Sequence, residues 1–239
     1  NTSANNNTAL GQAAMNVNET GTENTAVGKS SLDANTTGNN NVAVGKDALG
    51  ANTTASNNTS VGHSALNLNT TGAENTAVGS LALNVATTAN YNTAIGRSAL
   101  KLTTTGGANV AVGNNALLSN TTGENNTAVG YNSLDANTTG HSNTAVGHLS
   151  LSADTTGIRN VAVGFHAGQV QNDADDNVWV GYQSGLSCTT GGSNTGIGKD
   201  ALRANTTASN NVAVGVDALT VNTTGTRNTA VGSTALRDN

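Results

Sequence analysis

Few residues in this chain could do chemistry, and their spacing argues against it. The four histidines, His63, His141, His148 and His166, show no His-x-x-His spacing and have no partner cysteine for a metal. Cys188 is the only cysteine, so no intrachain disulfide forms, and no activating base lies near it in sequence. The run Asn172-Asp173-Ala174-Asp175-Asp176-Asn177 clusters hard oxygen ligands, which makes Asp173, Asp175 and Asp176 a candidate Ca2+ corner. It lacks the spacing and the bidentate Glu of a defined calcium loop, and a solvated acidic turn is the competing reading. Glycine comes once or twice per short repeat, at corners, rather than as a phosphate loop ahead of a helix. The expectation is a protein with no catalytic residue and no cofactor.

The rings are placed less evenly. Tyr131, His148, Phe165 and Tyr182 follow one another at intervals of 17 residues, with Trp179 close by. If successive repeats stack, these side chains form a column with a spacing of about 4.8 Å. An exposed column of this kind could contact sugars or a receptor, so Tyr131, Phe165, Tyr182 and Trp179 are candidate ligand residues. Alternatively the rings only stabilise the stack.

The same interval governs the whole chain. A glycine recurs every 17 residues from Gly11 to Gly232, across 14 copies, without insertion or deletion. With this glycine as slot 5, the repeat reads N-[TV]-A-V-G-x-x-A-L-x-x-N-T-T-G-x-N. Slot 1 is Asn in all 14 copies, and slot 9 is Leu except at Met15, Gly168 and Gly185. Disordered chains have no reason to hold such a register, whereas stacked coils do. Two glycines per copy disfavour a helix, N-T-A-V suits a short strand, A-L-x-x a second strand, and N-T-T-G a corner. The fold class is therefore all-β, a β-solenoid (β-roll or β-helix) of about 14 coils and roughly 65–70 Å.

The expected ladder is carried by residues such as Asn24 and Asn41, Val27 and Val44, and Leu32 and Leu49. Slot-1 asparagines are expected to bond amide to amide along the stack. Slots 2 and 4 are expected to face inward. Slot 3 is Ala almost throughout but Trp at Trp179, so it is expected to face outward, where its alanines would permit close contact between chains. Large apolar residues are few, which favours self-association as a homo-oligomer or an end-to-end filament.

Residues 1–239 read as one repetitive domain with irregular coils over 160–193. Both ends fall in mid-repeat at slot 12, as in a segment of a longer fibre. Charged residues make up only 10% and the net charge is −5, so no basic patch exists for nucleic acid. No apolar run approaches the roughly 18 residues that span a membrane. At slot 12, Asn-x-Thr sequons begin at Asn18, Asn35, Asn52, Asn69, Asn120, Asn137, Asn205 and Asn222, each a candidate glycosylation site or simply a good corner.

Copies such as N-T-A-V-G-Y-N-S-L-D-A-N-T-T-G-H-S (Asn126 to Ser142) resemble repeats of bacterial and viral tail-fibre-domain proteins. They are also similar to the head repeats of trimeric autotransporter adhesins. The resemblance spans the chain, although a period of 17 is longer than the coils usual in those heads. It implies trimers of left-handed β-rolls on a cell or virion surface that bind host surfaces, glycans or matrix. No functional residue carries over, because the matching residues are structural. The expected function is thus an extracellular structural or adhesive fibre segment. The alternatives are an ice-binding solenoid using Thr ranks at slots 2, 13 and 14, and a receptor- or glycan-binding fibre tip.

Overall fold

The computed structural model describes residues 4–238; the terminal repeat positions Asn1 to Ser3 and Asn239 lie outside the described residues. The described chain is all-β, without a helix. It is built of three-residue strands, one per coil. It divides into two compact units, Asn1–Thr122 and Gly123–Asn239. The first holds β1 (Thr8–Leu10), β2 (Thr25–Val27), β3 (Val42–Val44), β4 (Thr59–Val61), β5 (Thr76–Val78), β6 (Thr93–Ile95) and β7 (Val110–Val112). The second holds β8 (Thr127–Val129), β9 (Thr144–Val146), β10 (Val161–Val163), β11 (Val178–Val180), β12 (Thr195–Ile197), β13 (Val212–Val214) and β14 (Thr229–Val231). Within each unit successive strands pair in parallel, and every residue lies opposite its equivalent one repeat later, as in Thr25↔Val42, Ala26↔Ala43 and Val27↔Val44. This is a β-solenoid with 17-residue coils.

The rest of each coil is turn, and its backbone is unusual. Slots 7, 9 and 17 adopt left-handed φ in coil after coil, for example Ser30 at 52°, Leu32 at 51° and Asn40 at 56°. The A-L-x-x segment is therefore a turn, not the second strand expected from its hydrophobicity. A β-branched residue in this region is strongly strained. Among those positive-φ residues Thr234 is the one β-branched exception, which explains why slot 9 is Leu and never Val or Ile.

Slot 5 is more demanding still. Its glycines have φ between 127° and 142°, a region closed to side chains. A Cβ on Gly79 would also lie 2.5 Å from the carbonyl oxygen of Gly96 in the next coil.

The interior corrects the expected facing of the strand. Slot 3 points inward: away from the terminal coils, Ala26, Ala43, Ala77 and their equivalents are fully buried, and so is Trp179. Slots 2 and 4 point outward, so Val27 and Val44 are ladder residues of the outer face, not of the core. Leu32 and Leu49 are buried as expected. A coil closed by so many tight turns has room for Ala and Leu on its inner side, and the branched residues are displaced to the outer side.

Two asparagine files complete the interior. At slot 1, Asn24 Oδ1 accepts the backbone N–H of Asn41 (2.9 Å), and Asn24 Nδ2 donates across the coil to Gly38 O (2.8 Å). Asp lacks that donor and Gln is a methylene longer, which accounts for the invariance of Asn at slot 1. The principal link at slot 1 is thus side chain to backbone. The shorter amide-to-amide bonds belong to slot 12, where Asn35 Nδ2 donates to Asn18 Oδ1 (2.8 Å) and Asn52 Nδ2 to Asn35 Oδ1 (2.9 Å). Gly79→Ala combines a forbidden φ with a backbone clash and should cost at least about 3 kcal/mol, read as a lowered denaturation midpoint.

Candidate functional site

Two outward features distinguish this surface. The first is the strip formed by slots 2 and 4. In every coil these positions hold Thr, Val, Ile or Leu, and never a charge. Neighbours above and below cover part of each side chain, yet Ile95, Val110, Val129, Val163 and Ile197 remain exposed. An outer sheet face in water usually alternates toward polar residues.

The second feature lies within the second unit. Tyr131, His148, Phe165 and Tyr182 at slot 6 form the column that their spacing predicted. Ring centroids are 5.3, 5.1 and 5.5 Å apart, with interplanar angles of 13°, 10° and 4°. His166, at slot 7, stacks on Phe165 at 3.9 Å. Burial and the neighbouring His148 push the His166 imidazole below its ordinary pKa. The rings are about half exposed, Tyr131 at 51% and Phe165 at 43%. Because they stack on one another, their inner faces are covered and their edges meet solvent. Ligands that bind by stacking need a free face, which the inner rings do not offer.

Trp179 does not belong to this column. It projects from β11 into the core, and three glycines make room for it. A Cβ on Gly168 would lie 2.6 Å from the indole, one on Gly196 would lie 2.9 Å from it, and one on Gly185 would overlap it. Gly168 and Gly185 stand where other coils have the core leucine. One indole therefore stands where other coils place two leucines. The irregular coils of 160–193 are a repacked core. Their signal in the sequence was the coincidence of Trp179 with the two slot-9 glycines.

The exchange brings a buried polar chain with it. Trp179 Nε1 donates to Gln171 Oε1 (2.8 Å), and Gln171 Nε2 donates to Asp154 Oδ2 (3.2 Å). Asp154 and Gln171 take the slot-12 position of Asn. Asp154 Oδ1 also accepts the Gly157 N–H (2.9 Å). Asp154 is fully buried, and desolvation raises its pKa to about 6. Asp135, half-buried at slot 10, is raised to about 6 by the same cause. Cys188, also at slot 12, is buried with its thiol pushed up to about 11, which leaves little reactive thiolate.

The other candidates are used structurally. Asp173 accepts from Thr155 (2.7 Å) and Thr156 (2.6 Å), which holds its carboxyl below the usual range. Asp175 accepts the Ile158 N–H (2.9 Å). Asp176 takes a bidentate Arg159, at 2.6 and 2.8 Å, and its pKa is likewise lowered. Each carboxylate thus ties its coil to the one before it, and the three do not converge on a common point. Among the described residues, no group of three or more His, Cys, Asp or Glu is placed to hold a metal ion.

The sequon asparagines Asn35, Asn52, Asn69, Asn120, Asn137 and Asn205 are fully buried, and Asn18 and Asn222 nearly so. Where their side-chain bonds are seen, as at Asn35, Asn52, Asn69 and Asn222, Nδ2 donates inside the coil stack. A glycan on Nδ2 is incompatible with that packing, so these positions are corner residues and not sugar sites.

No family model, curated protein or solved structure matches this chain.

Two outcomes follow from the repacked coils. Trp179→Ala should destabilise the chain by about 3–5 kcal/mol, because the glycines leave a cavity. Adding Gly168→Leu and Gly185→Leu should recover much of that loss in the same melts. Asp154 holds its proton more tightly folded than unfolded, so its contribution to stability falls as pH rises from about 4 to about 6. Asp154→Asn should flatten that slope, leaving the part due to Asp135, and raise stability at pH 7 by about 2–3 kcal/mol. Denaturant titrations at pH 4 and pH 7 would measure both effects.

Proposed function

We propose that this chain is a structural segment of an extracellular or virion-surface fibre, and that its coils associate laterally with further copies through slots 2 and 4. The observation that carries this reading is the outward strip of Thr, Val, Ile and Leu without a single charge. A face with Val, Ile or Leu at slot 4, Thr or Val at slot 2 and no charge is suited to being covered by a further copy. The regular period, the small polar content of charge and the resemblance to tail-fibre and adhesin-head repeats support the same reading. Adhesion to host surfaces or matrix would then be a property of the assembled fibre, and the coils its scaffold.

A second reading draws on one observation. Slot 2 turns outward, and slot 14 presents exposed threonines such as Thr37, Thr54, Thr71 and Thr88 one coil apart. Regular hydroxyl ranks of this kind are what an ice-binding solenoid would display.

Sedimentation equilibrium separates the two readings. The fibre reading expects an oligomer, and Val146→Lys with Val163→Lys should weaken association at least about tenfold while leaving the circular dichroism spectrum unchanged. A monomer at all accessible concentrations would defeat it. Thermal hysteresis in that monomer would then favour ice binding.

A further inference from the structure

Because the coils repeat, they show which positions the fold itself constrains. Exposed slots without a structural task have diverged. Slot 6 passes from Lys29 through Phe165 to Ser233, and slot 17 from Glu74 through Tyr91 to Arg159. Slot 13 keeps Thr for a visible reason: its hydroxyl donates to a carbonyl of the next coil, Thr36 to Thr53 O at 3.0 Å and Thr53 to Thr70 O at 3.1 Å. Slot 14 keeps Thr without one. It is Thr in every copy from Thr20 to Thr122 and again at Thr139, Thr156, Thr190, Thr207 and Thr224, and each is exposed. Among the described residues, only the Thr156 hydroxyl of these has a hydrogen-bond partner, Asp173 at 2.6 Å. None of these threonines has a left-handed φ, so the backbone accepts other residues there. The exception is Asp173, where the turn itself changes to a φ of 58°. At slot 2 Thr and Val interchange, as in Thr25 and Val42, but no Val stands at slot 14. The slot-14 hydroxyl is therefore kept for something outside the coil.

We infer that the slot-14 threonines are O-glycosylation sites, each hydroxyl accepting one neutral sugar from a nucleotide-activated donor through a separate transferase. Thr Oγ1 attacks the anomeric carbon, and a C–O bond forms there as the bond to the diphosphate breaks. The hydroxyl proton passes to a base of the transferase, and the nucleoside diphosphate leaves. The sequon asparagines two residues earlier are closed to sugar because they are buried. The slot-13 hydroxyl is part-buried and spent on a carbonyl. Slot 14 alone in the N-T-T-G corner presents a free nucleophile. The coil spacing decides the kind of group. Within each unit, neighbouring sites stand about 4.8 Å apart. Phosphates at that distance would repel one another and push the coils apart, whereas uncharged rings can lie one on the next. Thr suits this better than Ser, because branching at Cβ restricts χ1 and holds each glycosidic oxygen in one direction.

The test is the intact mass of the chain isolated from its natural source, followed by electron-transfer fragmentation. The mass should exceed that of the sequence by a whole number of one sugar residue. The fragments should place the sugars on slot-14 threonines and leave slot 13 bare. A mass equal to that of the sequence, sugars confined to other slots, or phosphate in place of sugar would each overturn the inference. Thermal hysteresis in unmodified native material would assign the file to ice instead. A second measurement asks whether the fold needs these hydroxyls. In chain expressed without the transferase, Thr37→Val/Thr54→Val/Thr71→Val should leave the melting midpoint where it is. Thr36→Val/Thr53→Val/Thr70→Val should lower it, because three hydrogen bonds to carbonyls are lost. An equal fall in both variants would show that the fold itself keeps Thr at slot 14 and would overturn the inference, with lateral association left standing.

Discussion

Each strand ends on a glycine whose missing side chain is replaced by the next coil. The carbonyl of Gly96 lies where a Cβ on Gly79 would have to be, and the same approach recurs along each unit. Coils can come this close only if each has the same length, because an extra residue would move every later glycine off its partner. The unbroken interval of 17 is the consequence. So is the in-register pairing of equivalent residues, and so are the files of like side chains that the pairing creates.

Close stacking leaves a narrow interior. Its contents are Ala at slot 3, Ala or Ser at slot 8, Leu at slot 9 and two files of Asn, and the polar files do work that apolar packing does in larger domains. They satisfy backbone groups that the coil-to-coil bonds of the turns leave over, such as the Asn41 N–H and the Gly38 carbonyl, where an unpaired group would cost about 1–3 kcal/mol. The exchange around Trp179 shows how the interior changes when it does. A large ring enters only where Gly168, Gly185 and Gly196 withdraw, and Gln171 and Asp154 then replace Asn to give the indole N–H a partner. The cost falls on Asp154, a carboxyl held away from water.

The outer face follows from the same narrowness. Branched residues that do not fit inside stand outside, and they form a strip without charge that a fibre built of several copies would cover. The acidic corner, the slot-12 sequon asparagines and Cys188 are taken up by bonding within and between coils. The strip, the slot-14 threonines and, in the second unit, the stacked rings remain exposed.

The repeat determined a great deal by itself. A fixed interval, glycine at a fixed slot and turn-forming corners leave stacked β-coils as the one arrangement that gives every copy the same environment. The ring column followed by arithmetic, because residues 17 apart must stack. The direction in which slots 2, 3 and 4 point could not be read in this way. Alternation says that slot 3 opposes slots 2 and 4, but which side is inside depends on how much space the closed coil leaves. That space is set by left-handed turns at slots 7, 9 and 17, distant in the repeat from the strand. Trp179 pointed to the wrong side for the same reason. Its size argues for the surface when one coil is considered alone, and only the packing of three adjacent coils shows the room their glycines make for it.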